Sequence, residues 1–255
     1  LHTINDQITS NWLEEIQNKI LYNKNFKIFL LNINSVFNKF IHIIELLNES
    51  ICDLLIINES KLDESIPNKG YEHPNYQLIK RDRNRNGGGI LVYIKKCYKV
   101  ISTSASLDFE LINVKLKIAN ESFNVICCYK PPIVRNDQFL DHLETFILSN
   151  NIEENLFIIG DLNMDLLSNK GSDLAKFMSD NNLTNHNKNP TRVAYLSNNT
   201  CTSSLIDVIL HNGNKISNSF TVDFPYSDHH IVVAECKMAA KINFKYTIKK
   251  RKIDA

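Results

Sequence analysis

Four apolar runs of this 255-residue sequence end in side chains that could do chemistry. FLLNIN closes on Asn32 and Asn34, LLIINE on Glu59, VICCY on Tyr129, and FIIGDLN on Asp161 and Asn163. Two further segments carry polar groups at or near a strand start: SSLIDVIL with Asp207, and PYSDHHIVV with Asp228 and His229. Glu59, with Asn32, Asp207 or Asp228 near it, would make a hard oxygen site of the kind Mg²⁺ prefers. No Cys/His cluster is present to favour zinc. Asp161 is suited to hold a water as base, with Asn163 and Asn32 donating to phosphoryl oxygens. His229, oriented by a carboxylate such as Asp207, could carry positive charge against a pentacovalent phosphate. Together these parts describe metal-assisted phosphodiester hydrolysis.

A single Gly-Asp after a strand is as often a turn as a site, because both residues favour turns. Four such endings with two matching starts exceed what turn chemistry produces. In α/β sheets, ligands bind beyond the carboxyl ends of the strands, and antiparallel neighbours bring their starts to that same rim. The elements that must position these groups read as nine strands: KIFLLNI, DLLIIN, YQLIKR, GGILVYIKK, FELINVKLKI, FNVICCYK, NLFIIGD, LIDVILH and HHIVVAECKM. The alternation in ELINVKLKI suits a sheet with one solvated face. Residues 37–48, 137–148 and 172–181 carry apolar residues at helical spacing, and a polar residue opens the last two as an N-cap would. Residues 187–204 are polar, contain Pro190 and read as a long surface loop. So many strands with interspersed helices predict an α/β fold, two mixed β-sheets packed as a sandwich flanked by helices.

Composition sets the outer limits. The length and a 43% apolar content allow one large domain with its own core. A net charge of +1 favours no partner class by itself, although Lys80, Arg81, Arg83 and Arg85 cluster, as do Lys249–Lys252. Six cysteines lack metal-type spacing, and four lie in or beside apolar runs as reduced, buried hydrophobes would. No run reaches membrane-spanning length and no signal peptide opens the chain, so a reducing, soluble setting is expected. Residues 1–25 read as an N-terminal extension whose WLEEIQNKIL packs on the outside, and 26–238 as the domain. Residues 239–255 read as a basic linker, so the chain reads as a piece of something longer.

At these motifs the sequence resembles the endonuclease/exonuclease/phosphatase superfamily, and within it the endonuclease domain of non-LTR (LINE-type) retrotransposons, over residues 26–238. The resemblance implies a deoxyribonuclease-like two-sheet fold. It implies Asn32, Glu59 and Asp228 at a Mg²⁺ site (Mn²⁺ substituting), with Tyr129, Asp161, Asn163, Asp207 and His229 as catalytic residues. KLDESI, RDRNRNGGGILVYIKK, NPTR and TSSLIDVIL carry the retrotransposon branch. The implied activity is nicking of one DNA strand, leaving a 3′-hydroxyl that primes reverse transcription. The implied partners are DNA and the element RNA, the latter through a downstream reverse transcriptase, with no membrane and a monomeric isolated domain. Nuclear location with a cytoplasmic ribonucleoprotein phase follows from the same likeness. Pro132 stands where apurinic endonucleases have Asn, which argues against repair-type recognition of abasic sites.

Blander readings accompany several of these residues. Arg81, Arg83 and Arg85 are as well explained by a solvated hairpin as by DNA contact. Gly87–Gly89 is no phosphate loop, since no Gly-Lys-Ser/Thr follows, and reads as a flexible turn. The rival functions are a phosphatase or sphingomyelinase of the same fold, or an inactive copy kept as a DNA- or protein-binding module. His229 and His230 are expected to leave opposite faces of one strand.

Overall fold

The structure, a computed structural model, describes residues 11–20, 25–152, 155–195 and 200–238. Residues 239–255, expected to be a linker, and most of 1–25 lie outside them. Two six-stranded mixed sheets pack face to face. In the first, β1 (Phe26–Asn32) lies between β2 (Leu54–Asn58) and β14 (Ile231–Cys236). Beyond β2 come β4 (Ile90–Lys95) and β3 (Tyr76–Arg81), and beyond β14 comes β13 (Ile216–Val222). The second runs β5 (Lys99–Ala105), β6 (Glu110–Ile118), β7 (Glu121–Tyr129), β8 (Leu156–Asp161), β12 (Asp207–His211) and β9 (Thr184–Asn185). A separate hairpin joins β10 (Arg192–Tyr195) to β11 (Cys201–Ser204).

Strand alternation sorts the apolar residues into layers. Ile28, Leu30, Ile56 and Val92 of the first sheet meet Val114, Val125, Cys127 and Ile159 of the second in the central layer. On the outer face of the first sheet, Phe29, Leu31 and Ile57 pack under α1 (Asn11–Lys19) and α2 (Phe40–Asn48), which contribute Trp12, Ile16, Ile43 and Leu47. On the outer face of the second, Ile126, Ile158 and Val208 pack under α3 (Asn136–Ser149) and α4 (Ser172–Asp180), through Phe139, Leu143 and Leu174. Central strands are thus covered on both faces, which is why β1, β2 and β8 are unbroken apolar runs.

Four sequence expectations need correction. The start of β6 is buried on both faces because α3 covers it, and solvation is confined to Lys115 and Lys117. Neither α3 nor α4 has a side-chain N-cap: Arg135 and Gly171 stand there without one. Residues 187–204 are not loop throughout, since they contain the β10–β11 hairpin. The glycine run is no flexible turn. Gly88 and Gly89 hold φ of +70° and +90°, and their carbonyls accept from Lys61 and Ser60.

The Gly160 of FIIGDLN has a different reason. A Cβ there would lie 1.8 Å from the Cys128 carbonyl oxygen of the neighbouring parallel strand, so no other residue fits.

Candidate active site

The site lies at one rim of the sandwich, where β1, β2, β7 and β8 end and β12 starts. Parallel pairing sets Asn32 beside Asn58, and Tyr129 beside Asp161. Antiparallel pairing sets Asp161 directly opposite Asp207. Asn58, which the motif reading passed over, pins the two sheets together. Buried completely, it donates to the Cys128 carbonyl at 3.1 Å and accepts from the Asp161 N–H at 2.8 Å.

Asn32 is the hub. Its Nδ2 donates to Glu59 Oε1 at 3.1 Å and to Asp161 Oδ2 at 2.8 Å, while its Oδ1 accepts from the Asn34 N–H at 3.0 Å. The amide orientation follows from this network. Tyr129 donates to Glu59 Oε1 at 2.9 Å, and Lys61 Nζ stands 3.7 Å from Oε2. Asp161 Oδ1 accepts from the Asn163 N–H at 2.9 Å, and the Asn163 side chain donates to the Lys130 carbonyl. On the far side of Asp161, His229 Nδ1 meets Asp207 Oδ2 at 2.8 Å, and both residues are buried.

Titration behaviour follows from this crowding. Burial, then the charge of Asp207, raises the Asp161 pKa to about 7. Burial works against a charged His229, but the charge and hydrogen bond of Asp207 outweigh it, and its pKa rises to about 9. Thr191 Oγ1 accepts from the Ile206 and Asp207 N–H groups and so fixes the start of β12. Ser227 donates to the Asn32 carbonyl and accepts from the His229 N–H, tying the approach to β14 onto β1.

Five non-glycine residues at this rim have left-handed backbones: Asn34, Ser35, Glu59, Lys61 and Asn163. Such conformations cost on the order of 1–3 kcal/mol each and gather where geometry is functional. Glu59 at φ +52° turns its carboxylate back over the ends of the strands.

Two donor sets could take a cation. Ligand atoms of Asp161, Asp207 and His229 lie within 4.8 Å of one another. There, however, Nδ1 and Oδ2 already share a hydrogen bond, and the imidazole is held charged, so a metal would have to displace a proton. Glu59, with 21% of its side chain exposed and Asn32 and Asp161 adjoining, supplies accessible hard oxygens and fits Mg²⁺ better. Asp228 is engaged elsewhere, its Oδ2 accepting from Arg192 Nε at 2.7 Å. Burial would raise its pKa, but the Arg192 bond prevails and lowers it.

The arginine stretch does not present free cations. Arg81 bonds the Ser106 and Leu107 carbonyls, Arg83 pairs with Glu110 at 2.7 Å, and Arg85 pairs with Asp63 at 2.7 Å. Among the described residues, Lys39, Lys61 and Arg192 bring cations near the Glu59 and Asp228 carboxylates, and Arg83 lies over the Tyr129 ring. Burial and then Lys61 lower the Lys39 pKa, against the pull of Asp228 and Glu59. His230 turns away from His229, its Nε2 standing 3.7 Å from Asp223.

The fold is that of the endonuclease/exonuclease/phosphatase class of structures. Within that class, residues 123–233 match the sequence pattern of a family described as endonuclease-reverse transcriptase. Among solved structures, the endonuclease domain of TRAS1, a telomere-specific non-LTR retrotransposon, is similar with TM-score 0.66 and 13% identity. That match covers 84% of this chain and 99% of the other. An AP endonuclease from Archaeoglobus fulgidus gives TM-score 0.67 at 17% identity, over 84% of this chain and all of its own. A variant of the 3′ phosphatase NExo from Neisseria, bound to a product DNA hairpin, gives TM-score 0.67 at 16% identity, over 83% and 99%. Among curated proteins, no sequence matches the chain.

Proposed function

We propose that the chain is a Mg²⁺-dependent DNA endonuclease that nicks one strand and leaves a 3′-hydroxyl from which a retrotransposon RNA is reverse transcribed. The observation that carries this reading is the Asn32 amide, which joins the accessible acid Glu59 to the buried Asp161 and hence to His229 and Asp207. Glu59 would hold the ion, with Asn32 joining through its amide oxygen once that group turns from the Asn34 N–H, and Asp228 once released from Arg192. When bound, Mg²⁺ neutralises charge on the phosphate and on the departing oxygen, and Mn²⁺ can substitute.

Asp161 orients the attacking water and takes its proton, a task suited to a pKa raised toward neutrality. As the water oxygen bonds to phosphorus, the bond to O3′ breaks, and that oxygen takes a proton from solvent to leave as the 3′-hydroxyl. His229, kept cationic by Asp207, offsets the negative charge that builds on the phosphate. Asn163 donates to phosphoryl oxygens, while the Tyr129 hydroxyl steadies the Glu59 carboxylate. Lys39, Lys61 and Arg192, which lie near Glu59 and Asp228, join Arg81, Arg83 and Arg85 as candidates for phosphate contact.

The likeness to TRAS1 and the endonuclease-reverse transcriptase pattern support the retrotransposon setting. The proposal adds element RNA as partner through a reverse transcriptase domain, and the nucleus as the working compartment. The test is conversion of supercoiled plasmid to nicked circles with Mg²⁺, with EDTA, and by Glu59→Ala. Nicking by Glu59→Ala in EDTA would defeat the metal assignment. Faster release of 3′-phosphate than nicking would move the chain toward the phosphatase reading.

A further inference from the structure

Glu110 opens β6 opposite Tyr129, is 6% exposed, and belongs to no motif discussed above. Its two oxygens have separate partners. Oε1 accepts from Arg83 Nη1 at 2.7 Å, and Oε2 accepts from the Gly89 N–H at 2.5 Å. From this pair two arms reach Glu59. The first runs through the backbone: the Gly89 carbonyl accepts from Ser60 N–H at 3.2 Å and the Gly88 carbonyl from Lys61 N–H at 2.9 Å. Those two residues directly follow Glu59, in the stretch where Glu59 and Lys61 both have left-handed backbones. The second runs through side chains: the Arg83 guanidinium lies 5.7 Å from the Tyr129 ring centroid, and Tyr129 donates to Glu59 Oε1. Arg83 is itself steadied by its Nε bond to the Gly87 carbonyl at 2.7 Å.

We propose that the Glu110–Arg83 pair, buried at Glu110 and open to water at Arg83, is a positioning device for Glu59, fixing its backbone by one arm and its carboxylate by the other, and thereby sets the affinity of the site for a divalent cation. The proposal rests on the metal-dependent reading above. A pair kept only for stability is a weak alternative, because an ion pair with one partner open to water contributes little net stability. Outer-shell partners of metal ligands, by contrast, change metal affinity by about 10–100-fold when removed.

The test is Mn²⁺ binding to the full chain, read by electron paramagnetic resonance of the free ion, with melting measured in EDTA alongside. Glu110→Ala is expected to weaken Mn²⁺ binding about 10–100-fold. Glu110→Gln should weaken it less, since its amide oxygen can still accept from Gly89, and Arg83→Met should fall between. A core substitution away from the rim, Ile94→Val, is expected to lower the melting temperature slightly and leave Mn²⁺ affinity unchanged. Should Glu110→Ala fail to fold, Glu110→Gln and Arg83→Met decide the matter. Wild-type affinity in the variants that fold, with affinity lost in Glu59→Ala, would overturn the positioning role alone. Wild-type affinity in Glu59→Ala would overturn the metal reading, and the positioning proposal with it.

Discussion

The two halves of the site are built in different ways. Asp161 and Asp207 face each other across paired strands, so their spacing is set by sheet register, and Gly160 allows the neighbouring strand to close in. Glu59 and Asn163 sit just past strand ends on left-handed backbone, and Glu59 is steadied by contacts from Tyr129, Asn32 and the glycine run. On the function proposed above, register fixes the groups that would handle a proton. Braced loops carry the group that would take up and release an ion. The lesson is that a rigid half and an adjustable half meet at one amide, that of Asn32.

The largest effects are expected in the rigid half. His229→Ala and Asp161→Ala should each lower nicking by at least about three orders of magnitude, because residues of one catalytic unit fail together. A loss of less than tenfold, measured by plasmid nicking at saturating Mg²⁺, would break the assignment. Asp161→Asn should at the same time raise the melting temperature in EDTA at pH 8. The folded pKa of Asp161 is raised from 3.8 to about 7, so the cost of ionising it in the fold builds up as pH rises from 3.8 to about 7 and is complete at pH 8. A lower melting temperature for Asp161→Asn would show that the carboxylate stabilises the fold instead.

Asp207→Asn comes next, with the ring still present but deprived of its charge support, and a loss smaller than that of His229→Ala. The sign of its pH dependence is fixed by His229. Its folded pKa of about 9 lies above the free value of 6.5, so this pair stabilises fully below 6.5 and loses that contribution as pH rises through 9. The melting gap between wild type and Asp207→Asn should narrow over that window, and a widening gap would contradict the pairing.

The adjustable half gives a milder result. Gly89→Ala places a Cβ 2.4 Å from Ser60 Oγ at φ +90°, so it should shift the Mg²⁺ dependence of nicking to higher concentration by about tenfold or more. An unchanged Mg²⁺ dependence would show that the loop needs no such bracing. Smallest of all, His230→Ala should leave nicking within about twofold, since its ring faces Asp223 and not the cleft. If His230→Ala were the inactive variant, the assignment of faces would be reversed.

The same contrast explains what the sequence made legible. Central strands such as FKIFLLN and LLIIN announce themselves because both faces are buried. β5, with sequence KVISTSA, is an edge strand largely open to water, and β13, ISNSFTV, is held by ladder bonds more than by apolar pattern, so neither stood out. Site residues that end an apolar run were readable as a set. Asn58, Thr191, Arg192 and Glu110 were not, because each acts through bonds to residues remote in the chain and none breaks a local rule. The arginine cluster shows the converse: its charge is visible in sequence, while the carbonyls and carboxylates that bond Arg81, Arg83 and Arg85 are not.

The antiparallel neighbour of β1, the first strand among the described residues, is β14, the last of them, and His229, proposed above as catalytic, shortly precedes β14. A ribosome delivers the chain from the N-terminus at about 5–20 residues per second, so for most of synthesis β1 waits with an open edge and the rim lacks its histidine. Nuclease activity should then appear abruptly, not gradually, as the nascent chain lengthens. Stalled chains that have exposed β12 but not β14 should nick no DNA, and activity in such truncations would show that the seam between first and last strands is dispensable.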